Sequence, residues 1–167
     1  MRALTIQQPF ASMIVSDADD LPGCCVPRRC ENRNWPTEFR GTFLIHAGRS
    51  TVNLAPQVCQ LGRSEVLWDA VEYPVALGAF IGTAHLYDCF HIDQIESRLT
   101  EMPWLASNQH VGGRFCFILR NVRRFQVPIS CKGQLGWFDV ADSLVRDAIN
   151  LSVRPKVKPS PFMLRLR

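Results

Sequence analysis

The 167-residue chain has no run of 18 or more apolar residues; the nearest approach, Val75 to Ile81, has strand length and carries Gly78. A membrane-crossing helix needs about 20 such residues, so the sequence predicts no membrane partner. The first nine residues, Met1 to Pro9, lack an apolar signal core and a small-residue cleavage site, and a cytoplasmic location is the expectation. The seven cysteines are not spaced as zinc ligands: Cys24, Cys25 and Cys30 form no C-x-x-C pair, and no two of the four histidines stand at i, i+4. No metal and no cofactor are expected. An odd cysteine count leaves at least one thiol unpaired, and Cys89, Cys116 and Cys131 read as small buried hydrophobes in strand-like text. A Gly-rich phosphate loop, a G-x-S-x-G elbow and an H-E-x-x-H helix are all missing.

The chain does have enough apolar residues (47%, with 20% charged) for one well-formed core, and too few residues for two. Its formal net charge is +4. Cations are segregated: Arg114, Arg120, Arg123, Arg124 and Lys132 occur in a stretch without acid, and so do Arg154, Lys156, Lys158, Arg165 and Arg167. Acid gathers at Asp17, Asp19 and Asp20. Such segregation builds a positive field that concentrates polyanions.

Hydrophobic periodicity predicts a first strand at 3–6. A helix follows from Pro9, with Phe10, Met13 and Ile14 as its buried stripe, and then a loop over 17–27. Residues 29–35 alternate, with Arg29, Glu31, Arg33 and Trp35 on one face, until Pro36 ends the strand. Further strands are expected at 42–47, 76–81, 84–89, 114–122, 125–128 and 137–140. The breaks between them are predicted at Gly82 and Arg123, and helices at 53–61, 64–71, 93–99 and from an Asp142 cap to Ile149. Strands mixed with short helices, without βαβ alternation, argue for an α+β fold in which a small, partly closed mixed β-barrel has short helices packed around it.

Several ordered blocks resemble the ASCH domain (activating signal cointegrator-1 homology), a member of the PUA-like superfamily. They are Ala3-Leu4-Thr5-Ile6-Gln7-Gln8-Pro9-Phe10-Ala11-Ser12-Met13-Ile14-Val15, Glu31-Asn32-Arg33-Asn34-Trp35-Pro36-Thr37, Arg40-Gly41 with Phe43 to Ala47, Cys116 to Arg123, Lys132-Gly133 and Leu135-Gly136-Trp137. The resemblance implies an ASCH/PUA-like domain over 1–150, followed by a basic, proline-containing tail over 151–167. It also implies a cleft that binds RNA or single-stranded nucleic acid and recognises a base or nucleoside. Some bacterial relatives hydrolyse acylated cytidine nucleosides, so an amidohydrolase is the alternative. The family's Gly-x-Lys-x-x-Glu-x-Arg motif aligns its Lys with Arg28, its Glu with Glu31 and its Arg with Arg33; where the hydrolases carry Thr, this chain has Glu31.

That departure has chemical content. A lysine can be tuned to exchange a proton near neutral pH, whereas a guanidinium stays charged, so Arg28 can clamp an anion but cannot act as a base. Catalysis would fall to Glu31, assisted by Lys132 or His46. For binding, Glu31, Arg33 and Trp35 offer an acceptor, a cationic fork and an aromatic plane on one strand face, suited to a stacked base. The structural alternative is a buried Glu31–Arg33 pair beside a core tryptophan. His46 reads first as a satisfied core histidine. Gln8 lines the cleft or caps the first helix, Arg40 reaches phosphate or caps a turn, and Arg120, Arg123, Arg124 and Lys132 extend a backbone-tracking groove or form a solvated edge. The tail, with Pro155, Pro159, Pro161, Phe162 and Leu164, suits a protein contact.

Overall fold

The computed structural model describes residues 1–16, 28–50, 76–106 and 111–152. The expected loop over 17–27, the helices at 53–61 and 64–71 and the 154–167 tail lie outside the described residues. One mixed sheet organises the fold: β1 (Arg2–Ile6), β2 (Cys30–Arg33), β3 (Gly41–Ala47), β4 (Ala79–His91), β5 (Phe115–Ser130) and β6 (Trp137–Asp139). Its order is β2-β5-β4-β3-β1-β6, with β1 and β3 parallel and the other pairs antiparallel. The helices are α1 (Phe10–Val15), α2 (Ile95–Arg98) and α3 (Asp142–Asn150). An α+β fold is therefore observed. Among the described residues no helix is long and apolar enough to cross a membrane.

The expected barrel is corrected to an open, strongly curled sheet. The edge strands β2 and β6 exchange no ladder hydrogen bonds. Six flat strands would hold them about 24 Å apart at the usual spacing, yet the rings of Trp35, just past β2, and Trp137, in β6, have centroids 6.5 Å apart. Curling needs long strands that bend. β4 and β5 run 13 and 16 residues and pair through three register shifts.

This corrects the two breaks predicted from sequence. Gly82 does not end a strand; it lets two backbones meet, since a Cβ there would lie 2.3 Å from the Arg123 carbonyl oxygen and 2.9 Å from Val15 Cγ1. The turn placed at Arg123 is instead an irregularity within β5, where Asn121 takes a left-handed φ of 48° that its short polar side chain tolerates. Two smaller corrections concern caps and thiols. Ala141, not Asp142, is the N-cap of α3, and Cys89 and Cys131 are only half-buried while Cys116 is fully buried.

Strand alternation divides the core. Leu4, Ile6, Phe43, Ile45, Leu86, Phe117 and Leu119 point inward, and α1 packs Ala11, Ile14 and Val15 against them. On the outer face, Leu44, Phe80, Phe125 and Phe138 gather under Val145 of α3. Cys30, Phe90, Cys116 and Ile118 form a separate cluster with Ile95 of α2. Because backbone atoms block the space at Gly82, Gly82→Ala is expected to lower stability by about 1–3 kcal/mol, as overpacking does. A lower urea midpoint with an unchanged slope would register it.

Candidate functional site

Alternation in β2 puts Glu31 and Arg33 on the inner face, each opposite an aromatic of β5: Glu31 pairs with Phe117 and Arg33 with Phe115. Glu31 is 6% exposed and lies between two guanidiniums, with Arg28 Nη2 3.1 Å from Oε2 and Arg33 Nη2 3.1 Å from Oε1. Two positive groups against one carboxylate leave one net positive charge at the rim of the apolar inner core. Arg28 is locked: its Nε donates to the Cys30 carbonyl at 2.6 Å, and its guanidinium lies 4.2 Å over the Phe10 ring of α1.

Arg33 does something else. Its Nη2 donates to the carbonyl of Thr5 at 2.7 Å, joining β2 to β1 across the curl. The geometry has a simple origin. The Ile6 carbonyl accepts from Gly48 beyond β3, so the Thr5 carbonyl, one residue earlier, points to the opposite edge. β6 covers that edge only at Arg2 to Leu4, and Arg33 supplies the donor the ladder lacks. Burial pulls the Arg33 pKa below its usual value, with Arg28 adding to the effect and Glu31 opposing it. A guanidinium still remains charged.

Trp35 completes the rim. It packs edge-on to Phe117 at 5.3 Å and to Trp137, with Arg33 5.9 Å from its ring centre. As a residue it is half-buried. Trp137 is the hub of this aromatic cluster, meeting Phe39 at 4.8 Å and Phe43 at 5.2 Å and donating from Nε1 to Thr37 Oγ1 at 3.1 Å. Among the described residues, Arg33 Nε is buried with no hydrogen-bond partner, whereas Glu31 Oε2 makes no hydrogen bond but is ion-paired to Arg28. Buried polar atoms are nearly always satisfied, so the Arg33 Nε donor is the atypical group of this cluster.

The other sequence-derived candidates separate. His46 is 1% exposed and faces the outer side with Phe80 and Phe138, across the sheet from Glu31. Its Nε2 lies 3.1 Å from the Cys131 carbonyl and its Nδ1 3.2 Å from Thr5 Oγ1. A carbonyl only accepts, so the neutral ring carries its proton on Nε2. Gly133 packs flat on this ring, where a Cβ would meet Cε1 at 2.3 Å. Lys132 is exposed in that same loop. Glu31, His46 and Lys132 are thus not assembled into one catalytic group.

Gln8 is fully buried and spent on structure: its Oε1 accepts from the Ser12 amide of α1 at 3.1 Å and its Nε2 donates to the Ala76 carbonyl at 2.8 Å. Arg40 caps its turn, donating to the Thr37 and Phe39 carbonyls, and pairs with Asp88 at 3.2 Å. Arg120 and Arg123 alternate away from the inner-facing Leu119 and Val122 and lie on the outer face; Arg124 is half-buried in the same strand.

Sequence reasoning missed Thr5 and Trp137 as parts of this rim. Both depend on contacts between distant segments, such as the Leu4–Trp137 pairing, that no local pattern announces.

Two outcomes are expected. Glu31→Ala leaves two guanidiniums buried without their counter-charge and should cost about 3–5 kcal/mol in a denaturant titration. His46, whose pKa burial pushes below its usual 6.5, should make the fold less stable in acid. As pH falls through 6.5 the unfolded chain takes up a proton before the folded chain does, so stability declines from that pH down to the lowered value. His46→Gln should flatten that part of the stability–pH curve.

No family model matches the chain, and no curated protein does. Among solved structures, the chain is similar to ASCH from Zymomonas mobilis, at 14% identity and TM-score 0.49, covering 94% of this chain and 97% of that one. It is also similar to two mutant proteins of ZmASCH, at 15% and 16% identity and TM-scores of 0.49 and 0.48, covering 91% of this chain and 98% and 96% of theirs. These structural neighbours are ASCH domain proteins, the family that the sequence blocks resemble.

Proposed function

We propose that residues 1–150 form a PUA-like domain that binds RNA or another single-stranded nucleic acid and accepts one base at the rim formed by Glu31, Arg33 and Trp35. The observation that carries this reading is the buried charged cluster with its net positive charge and, among the described residues, an unpartnered Arg33 Nε donor, set beside the half-buried Trp35. A base has a π-face for Trp35 and an acceptor edge for Arg33 Nε, while the net positive charge of the Arg28–Glu31–Arg33 cluster favours the adjoining phosphate. Excess positive charge on the whole chain adds long-range attraction of the same sign.

Binding of a labelled 12-nucleotide single-stranded RNA, followed by anisotropy, tests it. Affinity should fall steeply as salt rises, because each neutralised phosphate releases counterions. Trp35→Ala should weaken binding by about 1–3 kcal/mol, roughly 5- to 150-fold, the usual worth of a stacked base. Arg33→Gln should weaken it as well. Unchanged affinity in both variants, each verified as folded by its thermal melt, removes this rim from the function.

A further inference from the structure

On the outer face of the sheet, two patches of apolar core are roofed, and among the described residues no helix covers the strip between them. α3 lies over Leu44, Phe80, Phe125 and Phe138, and α2 belongs to the cluster of Cys30, Phe90, Cys116 and Ile118. Between these, Thr42 of β3, His85 of β4 and Arg120 of β5 stand in register, forming one row straight across three strands. Thr42 and Arg120 are exposed and His85 is half-exposed. Beside the row, Tyr87 is 43% exposed, and the Arg120 guanidinium lies over its ring at 3.3 Å from the centroid.

We infer that this strip is a second contact surface for a single-stranded nucleic acid, separate from the rim at Trp35 and not dependent on it. A guanidinium held over a phenol ring is fixed in place, and Arg120 remains exposed as a cation on which a base can stack. The in-plane N–H groups of Arg120, the His85 imidazole and the Thr42 hydroxyl together can donate to a phosphodiester running along the row. Charge selects the occupant. Asp88, next to Tyr87 in β4, already has its carboxylate shared between Arg40 and Arg98, and residues 114–132 contain no acid at all. Arg123, one row along opposite Thr83, extends the positive track. The arrangement combines a cationic track with a stacking plane, the two elements of sequence-tolerant single-strand binding.

The experiment compares a labelled 12-nucleotide single strand with a nucleoside monophosphate on the full chain, using Arg120→Gln, Arg120→Lys and Tyr87→Ala. For the oligonucleotide, Arg120→Gln should lower affinity and reduce the slope of log K against log salt by about 0.7, the value for one single-strand phosphate contact. Tyr87→Ala should lower affinity with little change in slope, and Arg120→Lys should keep the slope but lose affinity. Monophosphate binding should be unchanged in all three.

Oligonucleotide affinity unchanged in folded variants overturns the inference, as does an equal loss for the monophosphate, which would make Arg120 part of a single site. Arg120-dependent binding to anionic phospholipid vesicles, without oligonucleotide binding, also overturns it. Loss in the Arg120 variants with none in Trp35→Ala would uphold this strip and remove the rim; the reverse pattern would do the opposite.

Discussion

A single guanidinium closes this fold. Arg33 reaches from one edge strand to a backbone carbonyl of β1 that the short β6 leaves uncovered, and it carries Glu31 and Arg28 with it into the interior. A carboxylate placed in an apolar core would be costly to bury; between two cations it is tolerated, and the cations in turn are tolerated because of it. The curl of the sheet, the position of Trp35 beside Trp137 and the inward tilt of the charged cluster all follow from that exchange. The long strands make the curl feasible and Gly82 makes it tight, but the Arg33–Thr5 hydrogen bond and the packing of Trp35 on Trp137 are what join the two sides.

The same economy explains why the site is small. Most polar groups near the rim are already engaged: Gln8 holds α1, Arg40 holds its turn, and His46 and Thr5 hold the loop that follows β5. What remains, among the described residues, is the half-buried Trp35 and the Nε donor of Arg33. Arg28, pinned at both ends of its guanidinium, is a structural cation, in keeping with the chemistry that denied it the role of a base.

Period-two alternation made Glu31, Arg33 and Trp35 legible as one face, because a strand leaves no other choice. The helix beginning at Pro9 and the strand 42–47 were equally plain from their apolar spacing. What the pattern could not convey was continuity through irregularity. Gly82 and Arg123 look like punctuation in a linear reading, yet in three dimensions they sit inside two long bent strands whose bulges supply curvature. The pairing of distant segments was invisible for a different reason: Thr5 and Trp137 join the rim only through parallel and antiparallel neighbours far away in the chain. Period two also separated Glu31 from His46, but which of the two faces each would take depended on those same pairings.

The way the two sheet edges meet has a mechanical consequence. Among the described residues they are fastened by side chains, a guanidinium on a carbonyl and an indole against an indole, and no ladder hydrogen bond crosses the seam. A continuous barrel would have to tear a ladder to part there. Here the strand ladders on either side do not depend on the seam's being shut.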